Sequence, residues 1–293
     1  MLIVILAYVS ILAFIGLSAY KAYQYSRMPL HGRLELYPVP KEKGHKHGGS
    51  YFEELEWWNK PRETSHGSEL VEMLKEMLFI KKLFENQRPL WWISYALHLG
   101  IYLLAAWTVL LVISSILVIS GAEGSGFASV LFGLTSLVGV LGLILATFGS
   151  GILFLRRVFD TTLSKYTTPQ EYFNLLLIYA ALVTGIFAWI NDLSFSNVRN
   201  IVVGILTFTP VEASTLVTVH FVLLAIMFVY IPLSKMSHYV GKYFSFHKVL
   251  WENDPNLAGN DVDAKVKKAT SYKPQTKWSA PHINPPAAPT ENK

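Results

Sequence analysis

Five stretches of the chain are apolar over about the 20 residues that a helix needs to cross a hydrocarbon core. They run from Leu2 to about Tyr20, from about Trp91 to Ile119, from about Phe127 to Leu155, from about Phe173 to Ile190, and from about Ser214 to Leu233 with a continuation beyond. The pattern predicts an all-α membrane protein, a bundle of five transmembrane helices with a cytoplasmic connection and a C-terminal tail. The first stretch has no basic segment before it and no clear small-residue cleavage site, so it reads as an uncleaved anchor. Ile201 to Phe208 is apolar but too short to span, and reads as a surface or interfacial turn ended by Pro210. Between the first two spans, Ser68 to Phe84 carries Leu70, Leu74, Met77, Leu78 and Phe84 on or near one face, with Lys75, Glu76, Lys81 and Lys82 largely off it. This predicts one amphipathic helix, capped by Ser68, that lies on the membrane surface or on a partner. The Pro-rich end, Trp278 to Pro289, cannot bury a core alone and is expected to be disordered or to lie along another subunit.

Four regions follow: residues 1–20 as anchor, 21–90 as cytoplasmic connection, 91–245 as a four-helix core, and 246–293 as a partner-binding tail. Lys21, Arg27, Arg33, Arg156, Arg157, Lys165, Lys235, Lys242 and Lys248 fall in connections on one side, whereas the opposite links hold only Arg199. The positive-inside rule then puts the N-terminus outside and the C-terminus in the cytoplasm of a cell membrane. Trp91 and Trp92 open the second span as an aromatic belt does. The composition agrees, with 52% hydrophobic and 15% charged residues. The net charge of +5 is explained by those flanking segments and needs no nucleic acid.

The chain has no cysteine. Disulfides, cysteine-bound iron–sulfur clusters and covalent c-type haem are excluded, and histidine is the ligand left for a redox metal. His98 lies roughly 10 Å into the bilayer from the cytoplasmic end of the second span, at about 1.5 Å per residue. His220 and His238 are eighteen positions apart, or five turns. On one continuous helix they would point to the same side, about 27 Å apart. His238 would then match His98 in depth, and His220 would lie in the outer half. Two imidazoles at equal depth on two helices suit a bis-histidine haem, and Arg156 and Arg157 suit its propionates. The plainer alternative is that the histidines are buried and bonded to backbone or hydroxyls, and that the arginines only set topology. Gly139, Gly142, Gly149 and Gly151 most simply permit close helix packing, with room beside a porphyrin as a second use. His45, His47 and His66, around Gly-His-Lys-His-Gly, give a weak metal signal, and His247 and His282 read as structural or contact residues.

The stretch from His220 through Pro232, Ser234 and Lys235 to His238 resembles the last span of the respiratory nitrate reductase gamma subunit family. Phe154 to Phe159 with Thr167 and Thr168 is similar to its third-to-fourth connection, and Ala96 to Gly100 to the start of its second span. The resemblance covers about residues 90 to 245. It implies that His98 and His238 ligate a haem b near the cytoplasm, and His220 a haem nearer the outside. The further histidine expected there is Thr108 in this chain, which cannot replace imidazole, so that haem is absent, five-coordinate or completed by another residue. The long connection and Trp278 to Ile283 look more like the cytochrome b subunits of sulfate reducers and methanogens, above all that of the dissimilatory sulfite-reduction-associated membrane complex. That resemblance implies menaquinone or menaquinol as substrate. It also implies a cytoplasmic iron–sulfur subunit related to heterodisulfide reductase as partner, with further membrane subunits beside it. Rival readings are a haem-free anchor, a nitrate reductase gamma-type quinol dehydrogenase subunit, a small transporter, or a haem enzyme acting alone.

Overall fold

A computed structural model describes residues 1–27, 66–244 and 258–272, together with 55, 56 and 59. All regular structure among the described residues is helical. The five spans are α1 (Leu2–Ser26), α4 (Arg88–Ile119), α5 (Gly126–Phe159), α7 (Pro169–Ile190) and α9 (Thr215–Leu233), each long and apolar enough to cross a membrane. Between and after them lie α2 (His66–Phe79), α3 (Lys81–Asn86), α6 (Thr161–Lys165), α8 (Ser196–Leu206), α10 (His238–Lys242) and α11 (Asp261–Thr270). The spans extend a few residues past the apolar stretches, because caps and prolines set their ends. Ser125 caps α5, Ser214 caps α9, and a Thr168–Glu171 capping box with Pro169 starts α7.

The spans form a chain of neighbours. α4 packs along α5, α5 on α7, α7 on α9, and α9 on α1, with α8 laid on α4. The α4–α5 contact is the tightest, and glycine explains it. A β-carbon on Gly149 would run into the backbone of Leu97, and one on Gly100 into the backbone of Ala146. A β-carbon on Gly142 would lie 3.0 Å from Leu104 and 3.2 Å from the Gly100 carbonyl. The expected close packing is therefore what Gly139, Gly142 and Gly149 provide against α4, whereas Gly151 meets Tyr179 of α7. α9 differs: its side chains are half-buried almost all the way round, and only Pro232 is fully buried.

Three expectations change. The single amphipathic helix is broken at Ile80, whose φ of 52° is left-handed and unusual for a β-branched residue, so α2 and α3 form a hairpin. Glu76, expected on the solvent side, is buried, whereas Leu70, Leu74 and Leu78, expected to lie on a membrane surface or a partner, are not covered by the rest of the chain. The turn at Ile201–Phe208 is instead the C-terminal part of α8, because Asp192 accepts from the Ser194 and Ser196 hydroxyls and the Asn197 N–H and so starts a helix. Ahead of the Pro-rich end, the tail carries α11, which Asn260 caps and which ends at Thr270. The Gly-His-Lys-His-Gly histidines and Trp278 to Pro289 lie outside the described residues.

Candidate functional site

Lys21 of α1, Arg88 of α4, Arg156 and Arg157 of α5, Lys165 of α6 just before α7 and Lys235 just after α9 define a basic end of the bundle; the other is the far end. At the basic end the fifth span is not continuous. Pro232 has no N–H to give to the preceding turn. Ser234 is extended, at φ −111° and ψ −178°, and its hydroxyl accepts from the N–H of Met236 to start a 3₁₀ turn, Lys235–Ser237. His238 follows as the first residue of α10. The eighteen-residue spacing therefore does not put His220 and His238 on one side of one helix. Instead, the break re-aims the chain and sends His238 toward α4.

There it meets His98. The two ring centres are 6.2 Å apart and their planes are inclined at 68°. Nδ1 of His98 lies 2.7 Å from the carbonyl oxygen of Ser94. A carbonyl only accepts, so Nδ1 carries the hydrogen and Nε2 keeps its lone pair, the form in which imidazole binds a metal. Two imidazoles bound through nitrogen to opposite sides of one metal ion, at about 2 Å each, have ring centres roughly 6.3 Å apart. The observed separation fits a shared metal, and the fixed tautomer of His98 fits a ligand.

The elements around this pair are tied together. Lys235 reaches Glu171 at 3.6 Å, Tyr239 stacks on Phe14 at 5.9 Å, and its hydroxyl bonds that of Ser18. The α2–α3 hairpin closes over the same end. Tyr102, one turn past His98, donates to the Met77 carbonyl, and Trp91 Nε1 donates to the Phe79 carbonyl, both at 2.7 Å. The buried Glu76 carboxylate accepts from Lys242 Nζ at 2.7 Å and from the Lys82 N–H at 2.8 Å. Lys242 stands one turn after His238. So α2 bridges the two elements that present the histidines. Sequence reading missed Glu76, Tyr102 and Lys242. Glu76 is one of three glutamates in α2, so composition does not single it out, and nothing local marks a partner 166 positions away.

Arg156 lies 3.6 Å from Asp160, and Arg157 donates to the Thr167 hydroxyl at 3.1 Å. Both stand at the basic end, in the last turn of α5. The far half looks different. His220 Nδ1 is 3.0 Å from the Thr184 hydroxyl, and its ring lies in the space left by Gly185. Thr108 is exposed and donates to the Leu104 carbonyl of its own helix. No group of three or more metal-binding side chains forms among the described residues, and the imidazole that faces His98 among them is that of His238.

The model of a known family, the nitrate reductase gamma subunit, matches residues 81–249. No curated protein and no solved structure matches the chain.

Proposed function

Because the chain belongs to the nitrate reductase gamma subunit family, whose members are haem b-binding membrane subunits of multi-subunit redox complexes, we propose that His98 and His238 would hold its haem through their ring nitrogens. The observation that carries this reading is the 6.2 Å between their ring centres. Bound there, haem b supplies reversible one-electron chemistry at iron. The chain's own residues hold the ligands in place. Ser94 fixes the tautomer of His98, the Ser234 cap sets the start of the turn that leads to His238, and the α2–α3 hairpin ties both elements. Arg156 and Arg157 are the proposed cationic partners of the propionates, each already oriented by Asp160 or Thr167. The family resemblance puts Thr108 where His220 would need a second imidazole, and His220 itself bonds Thr184, so the proposal is for one haem, at the His98 site.

The subunit would exchange electrons between the membrane menaquinone pool and a cytoplasmic iron–sulfur subunit related to heterodisulfide reductase, in sulfite respiration. The basic end would face the cytoplasm of a cell membrane, as the Lys and Arg distribution favours. Support for that branch is the resemblance of the long connection and of Trp278 to Ile283. The test is haem-to-protein stoichiometry by pyridine haemochrome in the wild type and in His98→Ala, His238→Ala and His220→Ala. We expect the first two to lose the same haem and the third to keep it. Unchanged haem in both His98→Ala and His238→Ala would overturn the ligand assignment.

A further inference from the structure

The α2 helix is inverted by the standard of a soluble protein. Its carboxylate Glu76 points inward and is 4% exposed, while Leu70, Val71, Leu74 and Leu78 are 42–52% exposed. These four, at i, i+1, i+4 and i+8, form one stripe along the helix. A helix bathed in water is expected to do the opposite. Its surroundings give the reason. The last carbonyls of a helix lack intrahelical partners, and those of α2 are taken by donors from a membrane span. Trp91 and Tyr102 of α4 are the donors, to Phe79 and Met77. They are eleven residues apart, about 16 Å of helix axis. The C-terminal turns of α2 thus lie beside the first turns of the span and not beyond its end. α4 exposes Trp92 and Ile101 along the same stretch.

We propose that α2 is embedded in the bilayer, and that the Leu70–Val71–Leu74–Leu78 stripe faces lipid acyl chains. The hairpin turn at Ile80 then returns the chain to the level of Trp91, where α4 begins. An open cleft of about 450 Å³ at this turn is lined by Phe79, Phe84 and Trp91 together with Lys75, Lys81 and Glu85. Aromatic rings beside charged side chains are the composition that suits the boundary between acyl tails and headgroups. The inward carboxylate follows too: away from water, Glu76 needs Lys242 and the Lys82 N–H as partners, and it has both.

The absence of cysteine makes the test direct. Single variants Leu70→Cys, Leu74→Cys and Leu78→Cys in the full chain carry a nitroxide label, in the assembled complex in vesicles and after the other subunits are stripped. Lys267→Cys, on the exposed face of α11, is the aqueous control. Collisions with dissolved oxygen and with a water-soluble nickel chelate are read by electron paramagnetic resonance. The proposal expects strong oxygen collision and a nickel collision rate at least about tenfold below the control, in both samples. Nickel access in both means that the stripe faces water and overturns the proposal. Nickel access only after stripping means a protein partner, and overturns it. Exclusion of both reagents throughout means a second copy or internal packing, and overturns it as well. The three positions report independently, so one poorly folded variant does not decide the outcome.

Discussion

The basic end and the far half of the bundle each hold a membrane histidine, and they use it differently. At the basic end the second ring nitrogen of His98 is left free by its bond to Ser94, and another imidazole stands across from it. In the far half His220 is bonded to Thr184 and seated against Gly185, while the position that should answer it, Thr108, is bonded to its own helix. The difference is not burial, since His98 and His220 are both half-buried. It lies in how each histidine is answered. A break between α9 and α10 aims His238 at His98, whereas His220, on an unbroken helix, is answered by a hydroxyl and not by a second imidazole.

The largest effect that can sharpen this contrast is a whole cofactor. Thr108→His gives the far half the imidazole it lacks, and the haem-to-protein ratio should rise by one, measured by pyridine haemochrome. An unchanged ratio would put the difference in the His220–Thr184 bond and not in the missing partner. Next is Gly149→Ala. Its β-carbon meets the backbone of Leu97, the residue beside His98, so α4 and α5 must part. It should cost about 1–3 kcal/mol of thermal stability and broaden the haem spectrum, with a smaller effect for Gly126→Ala at the far end, where nothing lies within 4 Å.

Lys242→Met removes the partner of a buried carboxylate. The lysine is itself partly exposed, so the loss should be about 2 kcal/mol, read as a lower midpoint of unfolding. Thr184→Ala, the far-half equivalent, strips a hydrogen bond from His220 and should cost about 1–2 kcal/mol while leaving unchanged the haem content proposed for the His98 site. Smallest is Asp192→Asn beside α8, about 0.5–1 kcal/mol by the same measurement. Burial alone would raise the Asp192 carboxyl, but the Asn197 N–H and the Ser194 and Ser196 hydroxyls outweigh it and hold it below the usual carboxylate range. Its contribution is thus present above the pKa of the unfolded chain and is lost as pH falls through the lowered value. A far end no more acid-sensitive in the wild type than in Asp192→Asn would contradict that.

The five spans were legible because apolar length alone identifies them, and the α4–α5 contact because glycines cluster in α5. The reach of the fifth span was misjudged for a physical reason. Hydropathy runs on through Pro232 and Leu233 and gives no sign that Ser234 takes an extended backbone. Continuous periodicity predicts one face for His220 and His238, whereas the break turns His238 to within 6.2 Å of the His98 ring, between centres. Glu76 was placed outward because amphipathic reasoning assumes water on the polar side and weighs only one helix. Its partner, Lys242, comes from the other end of the chain. Ile201–Phe208, too short to span, reads as a turn because its apolar run begins inside a helix that starts earlier, at polar Ser196, beside Asp192, and ends at Leu206.

One consequence of the interruption at Ser234 concerns register errors. In an unbroken rod, adding one residue anywhere upstream would swing a terminal side chain by about 100°. Here three separate moorings downstream of the interruption, Lys235 to Glu171, Tyr239 to Phe14 and Lys242 to Glu76, fix the azimuth of His238 locally. The last span is thereby free to drift in length and phase without misaligning the imidazole at its end.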